Sequence, residues 1–297
     1  MGLRGEISQR QRRFGEELQR LRMAAGLSAP EAGALVGMRS PAVSHTEAGR
    51  TGLNQERLGI WLDAYGCEDP VYRAKLADMG RRTGKGWWSE FSDRVPLLAL
   101  DLAEAEDSAA LIDNYETFYL PGLLQLPAYA EAIYEGAHRD GKFDAEAEIE
   151  FRMNRQRILN DLPRRQFRFV IHETALRLRF PGDAVMRAQL AHLLELAELP
   201  NVTIQVLPFA ALKKPPHTGQ FLLLDPGSED LATVVVDRPS RIEYLGDQYS
   251  IVTYRRTFAQ LSDLALPPVD TGRLPLAPSS SRDSCGLIRH LLYLLQT

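Results

Sequence analysis

LSAPEAGALVGMRSPAVSHTEAGR, residues 27–50, decides how the first third of the chain folds. Ser28-Ala-Pro-Glu31 has the form of a capping box, in which the serine side chain accepts from the backbone N–H of Glu31 and the glutamate reaches back to the serine N–H. A short helix opens there and stops at Gly37, where a left-handed backbone is wanted. After Met38-Arg39 another helix opens, with Ser40 as N-cap and Pro41 at the first helical position, where its missing N–H costs nothing. Gly49 ends it. Gly33 is small where the two helices would cross, and Ala32, Val36, Met38 and Val43 supply the apolar contacts between them.

Upstream, Phe14, Leu18, Leu21 and Ala25 form one helical stripe that Gly26 closes. Downstream, a helix from about Asn54 carries Leu58, Trp61, Leu62 and Tyr65, and another opens at Asp69-Pro70 with Tyr72, Leu76 and Met79. Trp61 and Tyr65 read as core. Five short helices, two of them joined by a tight turn, predict a helix-turn-helix domain over residues 1–82. The helix after the turn turns Ser40, Pro41, Ala42, Ser44 and His45 outward, which suits the major groove of double-stranded DNA.

Gly80-Arg-Arg-Thr-Gly84-Lys-Gly86 reads as a flexible basic hinge, with a linker over 83–97. Leu98 to Tyr119 reads as an amphipathic helical stretch, and Pro127–Gly136 and Ala145–Leu159 as helices. Strands are predicted at Gln166–His172, Val202–Leu207, Gln220–Leu224 and Ala232–Val236, with helices from Asp183 to about Leu199 and from Asp247 to Leu266. The fold class is therefore α+β: an all-α five-helix domain, then a mixed α/β regulatory domain over 98–268. Residues 269–297 read as a tail, with linker-like Pro278-Ser-Ser-Ser-Arg. Its apolar end, from Leu287, either packs back on the body, meets a partner or is a poorly selected end. Phe118, Tyr119 and Leu120 are left unassigned, because such stripes are more often core than partner groove.

The 297 residues are 44% hydrophobic and 25% charged, as in ordinary folded chains. The net charge of −4 divides unevenly: residues 1–82 carry 13 Lys/Arg against 10 Asp/Glu, leaving −7 for the rest. Arg10, Arg12, Arg13, Arg20 and Arg22 lie where phosphate contacts would be supplied. Two distant cysteines, no membrane-length apolar run and a charged N-terminus point to a cytoplasmic protein without membrane contact. His138, His172, His192, His217 and His290 are scattered singly, and no nucleophile elbow, phosphate loop or dinucleotide fingerprint is present. No catalytic residue, metal or cofactor is expected, and the protein is read as no enzyme.

Residues 27–50, within a match over about 12–80, resemble the Xre/Cro-type helix-turn-helix family. The resemblance implies that Ser40, Pro41, Ala42, Ser44 and His45 face bases, while Arg39, Arg50 and the capped N-terminus of the preceding helix meet phosphate. It also implies an internal ion pair between Arg22 and Glu47. Ala29 stands where the family usually has a phosphate-touching glutamine, and Thr46 at a normally apolar core site. Arg or Lys paired to guanine gives about 1–3 kcal/mol of discrimination, and this helix has none beyond Arg39. Specificity is then expected from His45, Ser44, methyl contacts by Ala42 and Pro41, and DNA shape.

Gly86-Trp-Trp-Ser-Glu-Phe91, the run from Tyr115 to Ala130 and Leu199-Pro-Asn-Val-Thr-Ile-Gln-Val-Leu-Pro-Phe209 resemble actinobacterial Scr/WhiJ-like regulators over about residues 12–268. That implies a homodimeric transcription regulator, acting alongside a small protein encoded nearby in a toxin–antitoxin-like pairing. Two readings stay open: a sensor whose DNA affinity changes when a small protein or ligand binds, and an antitoxin-like module that neutralises a partner, with DNA binding secondary. The tail after Asp270 departs from the charged helix the resemblance leads one to expect.

Overall fold

The computed structural model describes residues 7–137, 144–161, 165–211, 213–238, 241–272 and 283–295. His138 and Pro278-Ser-Ser-Ser-Arg lie outside them. The chain is α+β and divides into two compact units. The first contains the described residues through Glu90, then Leu97–Ser108 and Pro226–Ala232; the second contains Phe91–Pro96, Ala109–Asp225 and the described residues from Thr233.

Among the described residues the α-helices of the first unit are α1 Gln9–Ala24, α2 Ala29–Leu35, α3 Ser40–Glu47, α4 Gln55–Ala64, α5 Pro70–Arg81 and α6 Leu97–Ser108. Local chemistry explains most starts. Ser8 and Gln11 form a capping box on α1 and Ser28 and Glu31 form one on α2, while Asn54 and Asp69 cap α4 and α5 with their side chains. Phe14, Leu18, Val43, Leu58, Trp61 and Leu76 are buried together, and Leu231 joins them.

Three expectations change here. Ser40 is the first residue of α3 and not its cap; Arg39 occupies the cap position in extended backbone and makes no side-chain cap bond. The Gly80–Gly86 stretch is no loose hinge at its start: a Cβ on Gly80 would lie 2.8 Å from the Phe14 ring, and Arg82 reaches Asp78 and Asp107, each at 3.3 Å. The glycine there serves close packing. Thirdly, α6, expected to open the second domain, belongs to the first unit, where its Glu104 holds Arg10 at 2.6 Å.

The second unit is built on a six-stranded sheet: β1 Leu111–Glu116, β2 Gln166–His172, β3 Val202–Leu207, β4 Phe221–Asp225, β5 Thr233–Arg238 and β6 Arg241–Leu245. Their order is β3-β2-β1-β4-β5-β6, with β1, β2 and β3 parallel and the remaining pairings antiparallel. The helices are α7 Pro127–Ala137, α8 Ala145–Arg155, α9 Glu173–Arg177, α10 Asp183–Leu196, α11 Gln248–Leu264 and α12 Ser284–Leu294. Phe167, Phe169, Ile204, Leu190 and Leu193 are among its fully buried side chains.

The stretch from Leu98 to Tyr119 is thus not one helical run, because its second half is β1. Asp113 and Asn114 in mid-strand disguise it, and both are held by neighbours distant in sequence. Arg168, opposite Asp113 on β2, donates to both carboxylate oxygens at 2.6 Å, and the Asn114 amide donates to the Phe221 carbonyl at 3.1 Å. At the other end, α12 packs back on this unit. Cys285, Leu287, Ile288 and Leu291 are buried, and Ser284 Oγ accepts the Val206 N–H at 2.9 Å.

Candidate nucleic-acid interface

The turn between α2 and α3 is set by backbone contact. Gly37 adopts φ +65°, and the Met38 N–H donates to the Gly33 carbonyl at 2.8 Å. A Cβ on Gly33 would lie 2.3 Å from the Met38 oxygen, so only glycine fits where the helices meet. Gly15 lets α1 approach α3 in the same way: its Cβ would lie 2.3 Å from the Glu47 carbonyl oxygen. Trp61, fully buried on α4, donates its indole N–H to the Ala32 carbonyl at 2.8 Å and ties α4 to α2.

Side chains then lock α3 at its far end. Arg22 makes a two-pronged pair with Glu47, Nε to Oε1 at 2.6 Å and Nη2 to Oε2 at 3.0 Å, and its Nη1 donates to the Leu27 carbonyl at 2.7 Å. Thr46 sits buried at its apolar position because its hydroxyl donates back to the Ala42 carbonyl at 3.1 Å. Val43, Thr46 and Glu47 therefore face inward, while Pro41, Ser44 and His45 are exposed and Ser40 and Ala42 half-buried. The expected base-facing residues share one outward surface. Exposed Arg39 and Arg50 stand at its two ends and make no ion pair among the described residues.

Most of the other arginines proposed for phosphate are committed elsewhere. Arg13 is buried, paired with Glu17 at 2.6 Å and donating to the Asp230 carbonyl at 3.0 Å. Arg20 donates to the same Glu17 at 2.8 Å, and the Tyr72 hydroxyl donates there too. Burial pushes the Glu17 carboxyl up, but these donors, Arg20 foremost, outweigh it and hold the group below the ordinary range. Arg10 is taken by Glu104 and by the Met79 carbonyl at 2.7 Å. Of the five, exposed Arg12 alone makes no ion pair among the described residues, and its backbone N lies 3.0 Å from where a Gly49 Cβ would be, at the Arg50 end of α3. Sequence could not sort these five, because each partner is set by tertiary packing or by its helix phase.

The N-terminus of α2 also differs from its expected phosphate role. Glu31 takes the Ser28 N–H at 2.7 Å and the Ser28 hydroxyl at 2.6 Å, and these bonds lower its pKa. An ionised carboxylate therefore uses donors a phosphate would need.

Among the described residues no group of His, Cys, Asp and Glu could hold a metal ion, and no helix is long and apolar enough to cross a membrane. Residues 13–76 match a family described as a helix-turn-helix domain, which points to DNA binding and regulation of transcription. No curated protein and no solved structure matches the chain. Residues 99–274, more than half of the sequence, match the family described as domain of unknown function (DUF5753), and the chain belongs to that family.

Proposed function

We propose that this protein is a sequence-specific transcription regulator of the Xre type that inserts α3 into the major groove of double-stranded DNA. The observation that carries the reading is the arrangement of α3: a helix locked from behind by Arg22, Gly15 and Gly33, with Pro41, Ser44 and His45 outward and Arg39 and Arg50 at its ends. Ser40, Pro41, Ala42, Ser44 and His45 take the base edges, and Arg39, Arg50 and Arg12 the phosphates. One such helix spans few base pairs, so the protein binds as a homodimer on paired half-sites. The second unit supplies control, by a small partner protein or ligand, and carries out no catalysis. Binding-site selection with the full chain tests this. His45→Ala should relax the preference at one position in each half-site, and an unchanged selected sequence would remove His45 from the reading surface.

A further inference from the structure

The three parallel strands of the second unit end at one edge of the sheet, and large aromatic side chains stand exposed just beyond each. After β1 come Phe118 and Tyr119, 56% and 44% exposed; after β2 and α9 comes Phe180, 45% exposed; after β3 comes Phe209, 60% exposed. The carboxyl edge of parallel strands is where open sheets commonly bind ligands. These rings are held in place. Tyr119 meets Phe118 at 5.8 Å and Phe180 at 5.6 Å, edge to face, and Phe180 rests against the buried Tyr129 at 5.4 Å. The Phe209 N–H donates to Glu173 at 2.8 Å, and its ring packs on the Arg177 guanidinium at 5.9 Å. Exposed aromatics so fixed, with arginine among them, are typical of interaction surfaces.

The charge of this edge adds a direction. The chain leaves β3 at Pro208 and returns to the same edge at Gln220, which meets Thr117 at the end of β1 at 3.4 Å. Between them there is no Asp or Glu, and the exposed Lys213 and Lys214 make no ion pair among the described residues. We propose that this edge docks an acidic peptide segment of a partner protein, whose apolar side chains seat on Phe118, Tyr119, Phe180 and Phe209 and whose carboxylates meet Lys213 and Lys214. The proposal rests on the reading that the second unit takes a partner, and adds the chemistry of that partner. A nucleic acid fits less well, because the rings turn edges into one another's faces and leave no separated plates for bases. Arg177 and Arg179 are also already paired, each at 2.6 Å, with Glu173 and Asp183. A second copy of this basic edge would repel the first.

The test is a peptide-display selection on the full-length protein, followed by titration of the winning peptide. Winners should be net acidic and rich in Leu, Phe or Trp. Phe118→Ser with Phe209→Ser, and separately Lys213→Glu with Lys214→Glu, should each weaken binding at least tenfold and leave affinity for the selected DNA site unchanged. Winners without net negative charge, or a loss below tenfold in either double variant, would overturn the proposal. So would oligo-dT binding that falls in the same variants, which would make the face a nucleic-acid surface, or a sedimenting mass that halves in them, which would make it a contact between copies. Failure of the wild-type protein to select a DNA site would strike the DNA reading and leave the peptide result interpretable.

Discussion

Two carboxylates, one buried and one half-buried, show how differently one residue type can be used. Glu47 is held by both prongs of Arg22, and neither side chain has much access to water. Arg22→Ala leaves a buried carboxylate without its partner, and urea unfolding should show about 3 kcal/mol lost, whereas Arg22→Met with Glu47→Leu should recover most of it. Half-buried Glu116, at the end of β1, makes no ion pair among the described residues. Burial, only partly offset by the Asn114 amide at 3.2 Å, raises its pKa from 4.5 to about 7. Through that window the folded chain keeps a proton that the unfolded chain has released, so this group's contribution is intact in acid and is lost as pH rises to about 7. Glu116→Gln should therefore unfold like the parent at about pH 4 and be more stable by up to about 3 kcal/mol at about pH 8, as read by urea midpoints. Equal midpoints at alkaline pH would show that the carboxylate is already solvated.

At the scale of elements, the helix-turn-helix was legible because its rules are local. The Ser28–Glu31 box, Gly37 and Gly49 at φ +65° and +72°, and the apolar stripe of α1 all act within a few residues of one another. Gly33→Ala should cost about 2 kcal/mol or more, since its Cβ would meet a backbone oxygen that cannot step aside. Gly59→Ala, mid-way along α4 with nothing within 4 Å, should instead stabilise by about 0.5–1 kcal/mol. Thermal unfolding of the two variants, opposite in sign, checks whether close approach or helix propensity governs each position. β1, β6 and α9 were not legible. In β1 the polar Asp113 and Asn114 break the strand pattern, and their partners Arg168 and Phe221 lie 55 and 107 residues away.

Across the whole molecule the net charge of −4 says little about DNA, because the arginines divide into two populations. Arg10, Arg13, Arg20 and Arg22 are spent on internal ion pairs, while Arg12, Arg39 and Arg50 make none among the described residues. Arg39→Ala and Arg50→Ala should each lower the slope of log binding constant against log salt by about 1 and leave thermal stability unchanged. Arg13→Ala should do the reverse. An unchanged slope in both surface variants would take α3 away from the phosphate backbone. What the sequence determined by itself was the short-range part: the Ser28–Glu31 cap, the turn glycines, the helical stripes, the change of period near Gln166 and hence the α+β class. Tertiary structure alone decided which arginines remain available, that α6 and residues 226–232 belong with the first unit, that α12 packs on the second, and that Phe118 and Tyr119 stand exposed while Leu120 is buried. The reason is range: a cap or turn is settled by atoms a few residues apart, whereas burial and ion pairing depend on partners that only folding brings together.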